Sequence, residues 1–437
     1  MPATVLAQGW SFDAREIALG GVGTTTNLSS GMIDEARPYR TIVIPIGLVQ
    51  VLSDLDVFNP DSDKFDPVRA VEYAANPFVY IVNRNDTNTG ERFISDIRNG
   101  RLNRDLNVYR GFVPANNLLA EGLSAPNWGG TIKFQKHADG TYQGVYVGAG
   151  PYLSMRTTPT FDDRLIGILS SSTDVYVPNA QLPVTDETQG QFALAFTGGY
   201  RGRFALPAGT VSTDGARDGL YVAANFNYLR GLHYEDEMFR LRLDTNAAGL
   251  LTFSPLAPSP LRLDRATSSS GNGFAIDVGV GVIANHWAFG AGINGIANRI
   301  DWTDVTTTPY TLPNLFIGSG DFVEGTTTSL GTVRVELPVD YRGNVAYNED
   351  SWTVMAEVGH GFMGNSFHAG VEERLGAIEL RGGVRYTFQE WNPSGGVGFN
   401  LSRKIGIDVA ALGTSANIER KRQLAIAMSL RIMLARD

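Results

Sequence analysis

The sequence predicts an all-β chain, a transmembrane antiparallel up-and-down β-barrel of about fourteen strands with long extracellular loops. Three observations lead there. From about residue 190 onward, apolar residues take every second position in one segment after another, the period that puts them on one face of a strand. These segments run to about ten to fifteen residues, against roughly five or six in soluble strands, which suits a tilted strand crossing hydrocarbon. The links are very short at some ends, as at Ala284-Asn285-His286 and Arg374-Leu375-Gly376, and long and polar at others, as over 254–271 and 301–330.

Composition narrows the classes. With 43% hydrophobic residues the chain is too apolar for disorder, and its 50 glycines sit among Val, Ile, Phe, Tyr, Thr and Asn, a mix of strands and turns. No window holds the roughly 18 unbroken apolar residues of a membrane helix; the best, Ile42 to Leu52, is interrupted by Pro45 and Gln50. A net charge of -9, with no basic cluster larger than Arg420, Lys421 and Arg422, excludes a nucleic-acid partner. Zero cysteines remove a disulfide scaffold, a thiolate zinc site and a cysteine nucleophile, and suit a chain crossing an oxidising compartment.

In chain order, residues 1–7 come first. Val5 and Ala7 fit the small-residue rule of a cleavage site, so this stretch is expected to be a signal-peptide remnant, although charged and apolar leader regions are missing. Residues 8–38 form a segment ahead of the barrel, which is expected over 39–437, with 53–128 a long non-strand insertion folded over the mouth or into the lumen. Fifteen segments read as strands: 41–52, 129–137, 141–157, 189–205, 217–231, 235–252, 272–284, 286–300, 331–346, 351–360, 363–374, 376–388, 396–402, 405–413 and 421–434. A barrel with both ends on one rim needs an even number, so one assignment must fail. The suspects are 41–52, as part of a plug, and 158–189, which may hide a crossing at Leu165 to Leu169. Aromatics near segment ends, Tyr228, Trp287, Trp352, Tyr386, Phe388 and Trp391, fit girdles at the two interfaces.

The charges on the alternate positions are the informative constellation. Arg201, Arg203, Arg240, Arg242, Arg334, Arg342, Arg381 and Arg385 accompany Glu336, Asp340, Glu357, Glu379, Asp277 and Asp408. An arginine facing lipid near the midplane costs about 2–4 kcal/mol, so these are expected to line the lumen. Near balance of sign favours ion-pair ladders that close the lumen over a constriction that selects ions. An apolar pocket among the segment 8–38, residues 41–52 and Phe78, Val79, Tyr80 and Ile81 is expected for a greasy ligand.

Catalysis and metals have little to build on. His137, His233, His286, His360 and His368 show no helical metal spacing, and Ser366 and His368 lie two apart on one strand, too far to act as nucleophile and base. No catalytic residue, metal or cofactor is expected, and the chain reads as a non-enzyme. Asp54, Asp56, Asp61, Asp63 and Asp66 offer oxygen ligands of the kind calcium uses, but lack the glycine and terminal glutamate of an EF-hand loop, so a solvated acidic loop is the stronger reading.

Phe12-Asp13-Ala14-Arg15-Glu16-Ile17-Ala18-Leu19-Gly20-Gly21-Val22-Gly23 resembles the opening of the FadL-like outer-membrane proteins, a superfamily of fatty-acid transporters, aromatic hydrocarbon channels, TraF-like barrels and PorV-like secretion components. The stretch Ala411 to Arg420 is similar to the TraF-like and PorV-like branch. The resemblance implies that residues 8–38 are an N-terminal luminal hatch or plug, with Phe12, Arg15, Leu19, Gly20 and Gly21 inside a fourteen-stranded barrel of the bacterial outer membrane. Two departures stand out: Asn27-Leu28-Ser29-Ser30-Gly31 replaces an Asn-Pro-Ala motif, and the chain ends in Leu434-Ala435-Arg436-Asp437 rather than on an aromatic. Two functions follow as expectations. One is passive uptake of a hydrophobic small molecule through a hatch-gated barrel set in outer-membrane lipid; the other is a structural subunit with an occluded lumen and protein partners in an envelope complex.

Overall fold

The computed structural model describes residues 13–22, 39–44, 46–58, 62, 64, 66, 69–70, 72–73, 76, 78–82, 88–114, 120–124, 128–206, 218–252, 260–312, 322–361, 364–387, 390–402, 404–415 and 417–433. Its strands are β1 (Tyr39–Ile44), β2 (Tyr80–Ile81), β3 (Ala120–Ser124), β4 (Trp128–Lys136), β5 (Tyr142–Phe161), β6 (Gln181–Phe204), β7 (Gly219–Thr245), β8 (Leu251–Thr252), β9 (Leu261–Ser268) and β10 (Ser270–Ala284). They continue as β11 (Trp287–Leu312), β12 (Val323–Glu324), β13 (Thr328–Val335), β14 (Asp340–Asn348), β15 (Trp352–Gly361), β16 (Gly364–Leu375), β17 (Ile378–Thr387), β18 (Glu390–Asn400), β19 (Ile405–Thr414) and β20 (Gln423–Met433). Among the described residues the helices are α1 (Ala14–Ala18), α2 (Ile46–Ser53), α3 (Asn88–Arg98) and α4 (Asp163–Ser170).

All strands belong to one sheet, and every pairing in it is antiparallel. The wall runs up and down through β4, β5, β6, β7, β10, β11, β14, β15, β16, β17, β18, β19 and β20, and β20 then pairs with β1. Tight links, such as Leu375 to Ile378 through Gly376 at φ 69°, gather on one rim, here called the near rim. The far rim carries most of the long connections, with short ones at Gly361 to Gly364 and Thr387 to Glu390, and the near rim carries one long connection, from Phe204 to Gly219.

The polarity of the sheet is inverted relative to a soluble sandwich. One face is exposed and apolar, with Val280, Phe289, Val354, Val358, Val371, Leu380 and Phe399; the other buries Arg201, Arg342, Glu357, Glu372, Arg381, Asp408 and Arg431. That inversion is the pattern of a transmembrane barrel, where lipid wets the outside and the charges must turn inward. Curvature is seen in what one short segment reaches. Leu19 and Val22 pack on Met355 of β15 and Ala346 of β14, whereas Ala14, Ile17 and Ala18 pack on Ala410, Leu412, Ala425 and Ala427 of β19 and β20. Aromatics mark both rims: Trp287, Tyr347 and Trp352 form a contiguous near-rim cluster, and Phe367, Tyr386 and Trp391 a far-rim one.

Several predicted elements are corrected. Segments 217–231 and 235–252 are a single strand, β7, which removes one of the fifteen; the break suggested by Gly231 to Tyr234 is a register slip against β6, not a turn. Segment 41–52 is strand only to Ile44 and then becomes α2, because a continuous apolar run fits either element and periodicity cannot separate them. Leu165 to Leu169 is no crossing but lies in α4, whose first turn is capped by the Asp162 carboxylate accepting from the Arg164 N–H at 2.9 Å. Segment 331–346 is split into β13 and β14, and β11 runs on to Leu312 through part of the expected loop.

Those longer strands build an extension above the apolar band. β9 bridges the upper parts of β7 and β11, and the extension is capped by a core of Phe93, Ile97, Tyr109, Phe112, Phe161, Leu165, Ile168, Leu169, Leu182 and Leu241. Within the 53–128 stretch, α3 and the turn at Leu106–Tyr109 supply that cap. Ile418, from the link between β19 and β20, joins the same core, so the two ends of the wall meet above the mouth.

Candidate functional site

The α1 segment is the most densely determined feature of the inner face. Asp13 caps it, accepting from the Arg15 N–H at 2.9 Å, and its Oδ1 also accepts from Ser429 Oγ on β20 at 2.9 Å. The helix stops at Gly20 and Gly21, which take φ values of +76° and +86°, a left-handed conformation glycine adopts without strain. Every residue from Asp13 to Val22 is buried.

Glycines on the wall make the seat. A Cβ on Gly370 of β16 would lie 2.5 Å from Leu19 O, one on Gly396 of β18 2.7 Å from Ala18 Cβ, and one on Gly383 of β17 would run into the Leu19 carbonyl carbon and Gly20 N. A Cβ on Gly20 itself would lie 2.5 Å from Val384 O of β17. Polar contacts fix the register: Gly20 N–H donates to Ser394 Oγ at 3.1 Å, Ser394 Oγ donates to Ala18 O at 3.2 Å, and His368 Nδ1 meets Gly20 O at 2.6 Å.

A chain of charges locks the helix to the wall. Arg15 grips Glu372 of β16 with both branches, Nε to Oε2 at 2.7 Å and Nη2 to Oε1 at 3.0 Å. Glu372 Oε2 also accepts from Arg381 Nε at 2.7 Å, and Arg381 reaches Asp408 at 2.5 Å and Glu379. Arg431 of β20 then joins Asp408 at 2.7 Å and Glu379 at 2.9 Å. Arg15, Arg381 and Arg431 thus balance Glu372, Glu379 and Asp408 within one buried network. A second, smaller one joins Arg342 to Asp340 at 2.9 Å and to Glu357 at 3.1 Å.

The other expected residues divide. Arg201 is buried between the Tyr146 ring and Asn225 Oδ1, and Arg203 donates to Asp218 O at 2.8 Å and Gly140 O at 3.3 Å. Arg385 is buried on β17, opposite His368. Arg334 and Glu336 are corrected: both are exposed, and Arg334 pairs on the outside with Asp301 at 2.7 Å. Arg240 likewise faces water and pairs with Asp264. These lie in the extension, where the outer face meets water and an outward arginine costs nothing to solvate, so the lipid argument does not apply. Phe12 lies outside the described residues, as do Val5, Ala7, Asp61 and Asp63. Asp54 is held by Arg69 at 3.2 Å and Tyr73 Oη at 2.8 Å, and Asp56 lies 3.4 Å from Lys64, so both carboxylates already have partners. His360 meets Asn365 and His233 meets Glu235. Near 78–81, where an apolar pocket is expected, Val79 packs with Ala14, Ile17 and Ala18, and much of the expected lining, over 23–38, lies outside the described residues.

Sequence reasoning missed Asp13, Glu372, Ser394, Ser429, Arg431 and the glycine seat. Parity held the clue for two of them: Arg431 alternates in step with Ala427 and Ser429, and Glu372 with His368 and Gly370, so each shares its strand's inner face. A groove of about 440 Å³ lies on the outer face between β10, β11, β14 and β15, where Ala291 and Gly343 leave a hollow between Val280 and Val358.

No family model matches the chain, and no curated protein sequence matches it. Among solved structures it is similar to the Ralstonia pickettii toluene transporter TbuX, at 13% identity over 69% of this chain and 84% of that one, with a TM-score of 0.35. It is also similar to the monoaromatic hydrocarbon channel CymD, at 12% identity over 68% and 83%, TM-score 0.38. A triple mutant of the Rhodopseudomonas blastica porin matches at 10% identity over 66% and 99%, TM-score 0.22. Scores this low carry neither substrate nor mechanism to this chain.

Proposed function

We propose that the chain is an outer-membrane barrel of about fourteen strands whose lumen is closed by the N-terminal segment acting as a hatch, and that it passes small hydrophobic molecules when that segment shifts. The observation that carries the reading is the docking of α1: a short segment, far in sequence from β16 to β20, sits in a glycine-floored seat, packs there through Ile17, Leu19 and Val22, and is fixed by one bidentate ion pair and single hydrogen bonds. Such contacts are directional and separable, as a gate requires, whereas the wall is held by unbroken ladders. The paired signs of the charges in the α1 network suit an uncharged solute better than an ion. The aromatic layer of Tyr152, Tyr234 and Trp302 and the apolar cap above it suit an apolar one.

The test is mass spectrometry of the organic extract of protein purified in mild detergent, against a detergent blank and an unrelated barrel. A specific, stoichiometric apolar species is the expected result. A second reading, a non-enzymatic structural subunit of an envelope complex, is favoured by the completeness of the charge network, which leaves the seat closed. Under that reading the extract is clean and a protein partner co-purifies in stoichiometric amount.

A further inference from the structure

The wall changes material at its seam. β1 pairs with β20 from Tyr39↔Met433 to Ile44↔Met428 and then stops; two residues further up β20, the short β2 takes over at Tyr80↔Ile426. β2 presents its other edge to α2, not to a strand. The Gln50 side chain supplies both ladder bonds there: its Nε2 donates to Ile81 O at 2.9 Å and its Oε1 accepts from Ile81 N–H at 3.0 Å. Gly47 permits the approach, since a Cβ there would lie 2.5 Å from Val79 N. α2 therefore occupies the next wall position beyond β2, with Gly47 and Gln50 on its inner side and Val49 and Leu52, 63% and 65% exposed, on the opposite side.

Three further facts bear on what covers that exposed side. The stretch 41–53 has no charged residue and is bracketed by Arg40 and Asp54. Four strand residues and an eight-residue helix reach at most roughly 25 Å, the height of a barrel's apolar band. The neighbouring outward residues Ile44, Tyr80 and Leu424 are exposed and apolar as well, so the face is continuous with the lipid-facing band. A helix satisfies its own backbone and can face hydrocarbon without a ladder partner, which a strand edge cannot.

The geometry points to α2 as a lipid-facing wall helix: its Val49 and Leu52 side is an interaction surface for the acyl chains of the bilayer, and the seam beside it is joined by the Gln50 amide in place of a strand. This rests on the reading of the sheet as a membrane barrel. It uses a segment that the hatch and its charges do not.

The chain has no cysteine, so single substitutions give unique spin-label sites. The full chain is reconstituted in phosphatidylcholine vesicles with nitroxides at Val49→Cys, Leu52→Cys, Val358→Cys on the outer face of β15, and Lys64→Cys. Collision with oxygen and with a neutral nickel chelate is measured at each. The expected result is high oxygen and low nickel access at 49 and 52, matching 358 and opposite to 64. Nickel access at 49 and 52 with 358 still in hydrocarbon overturns the inference and leaves the barrel standing. Protection from both reagents means that protein covers the helix and overturns it too. Nickel access at 358 overturns the barrel reading itself. Because 49 and 52 are both exposed, failure of one variant to fold leaves the other to decide.

Discussion

The inner face has two halves that are held by different forces. From β14 to β20 it is built of glycine, small residues and buried charge, and a foreign segment is docked on it through Arg15 and Glu372. From β5 to β11 it is built of the wall's own aromatics and amides: Trp302 stacks on Tyr234 at 5.5 Å, Thr197 donates to Asn227 at 2.6 Å, and the apolar cap closes over them. The first half is a joint and the second a core. Packing that belongs to the wall can be lost only by unfolding it, whereas α1 is one short segment whose packing and ion pair can be given up with the wall's ladders intact. Motion should therefore begin at α1.

The largest expected effect breaks the joint. Arg15→Ala leaves Glu372 with Arg381 and, at 3.5 Å, Arg374, and should cost about 3–5 kcal/mol of α1 docking, the usual penalty for removing one partner of a buried pair. Limited proteolysis should then cleave near residues 13–22, while the wall keeps its heat-modifiable migration. Trp302→Ala should cost a comparable 3–5 kcal/mol in the other half and loosen the extension, seen by hydrogen exchange over β7 and β11, with α1 still protected. If either variant disturbs both halves equally, the division is wrong.

Gly383→Ala is smaller. Its methyl would meet the backbone at Leu19 and Gly20, and overpacking of that kind costs about 1–3 kcal/mol, so α1 should be partly displaced with the Arg15 pair lengthened. Gly376→Ala, at a near-rim turn with open space around it, carries only the strain of its positive φ and should leave α1 protected.

The smallest effect is a pH dependence confined to the extension, above the outward-facing Arg230. Burial first, and then the neighbouring Glu235 carboxylate, push Glu237 up to about 8, against the pull of Arg265. The fold favours the protonated form, so the stability it gives is full below the ordinary carboxyl range and is lost as pH rises through about 8. Glu237→Gln should flatten the loss of protection in β7 and β9 between pH 6 and pH 9, values on the order of the titration range. An unchanged profile would remove Glu237 as the cause.

Much of the wall was legible from period two alone, because lipid on one side and charge on the other keep the alternation clean: β16, β17, β19 and β20 end within a few residues of their predicted bounds. Legibility failed where that solvent contrast ends. Above the band both faces of β7, β9 and β11 meet water or protein, so Arg334 and Arg240 could face out and the strands could run on past the expected breaks. It failed again at 41–53, where a uniformly apolar run has no period to read. The Arg15 end of the lock was marked by the Ala-Arg and Gly-Gly spacing, but Glu372 lies 357 residues away, and nothing local announces a partner at that distance.

The claim that α1 is the moving closure is tested most directly by tethering it. With no native cysteine to interfere, Asp13→Cys and Ser429→Cys place two thiols across the seat, where the native side chains already meet at 2.9 Å. The protein is reconstituted in vesicles, and entry of the apolar fluorophore N-phenylnaphthylamine is followed with the disulfide oxidised and then reduced. The account predicts protein-dependent entry that is lost on oxidation and restored on reduction. Equal protein-dependent entry in both states would contradict it, and no entry in either would place the chain among closed structural subunits.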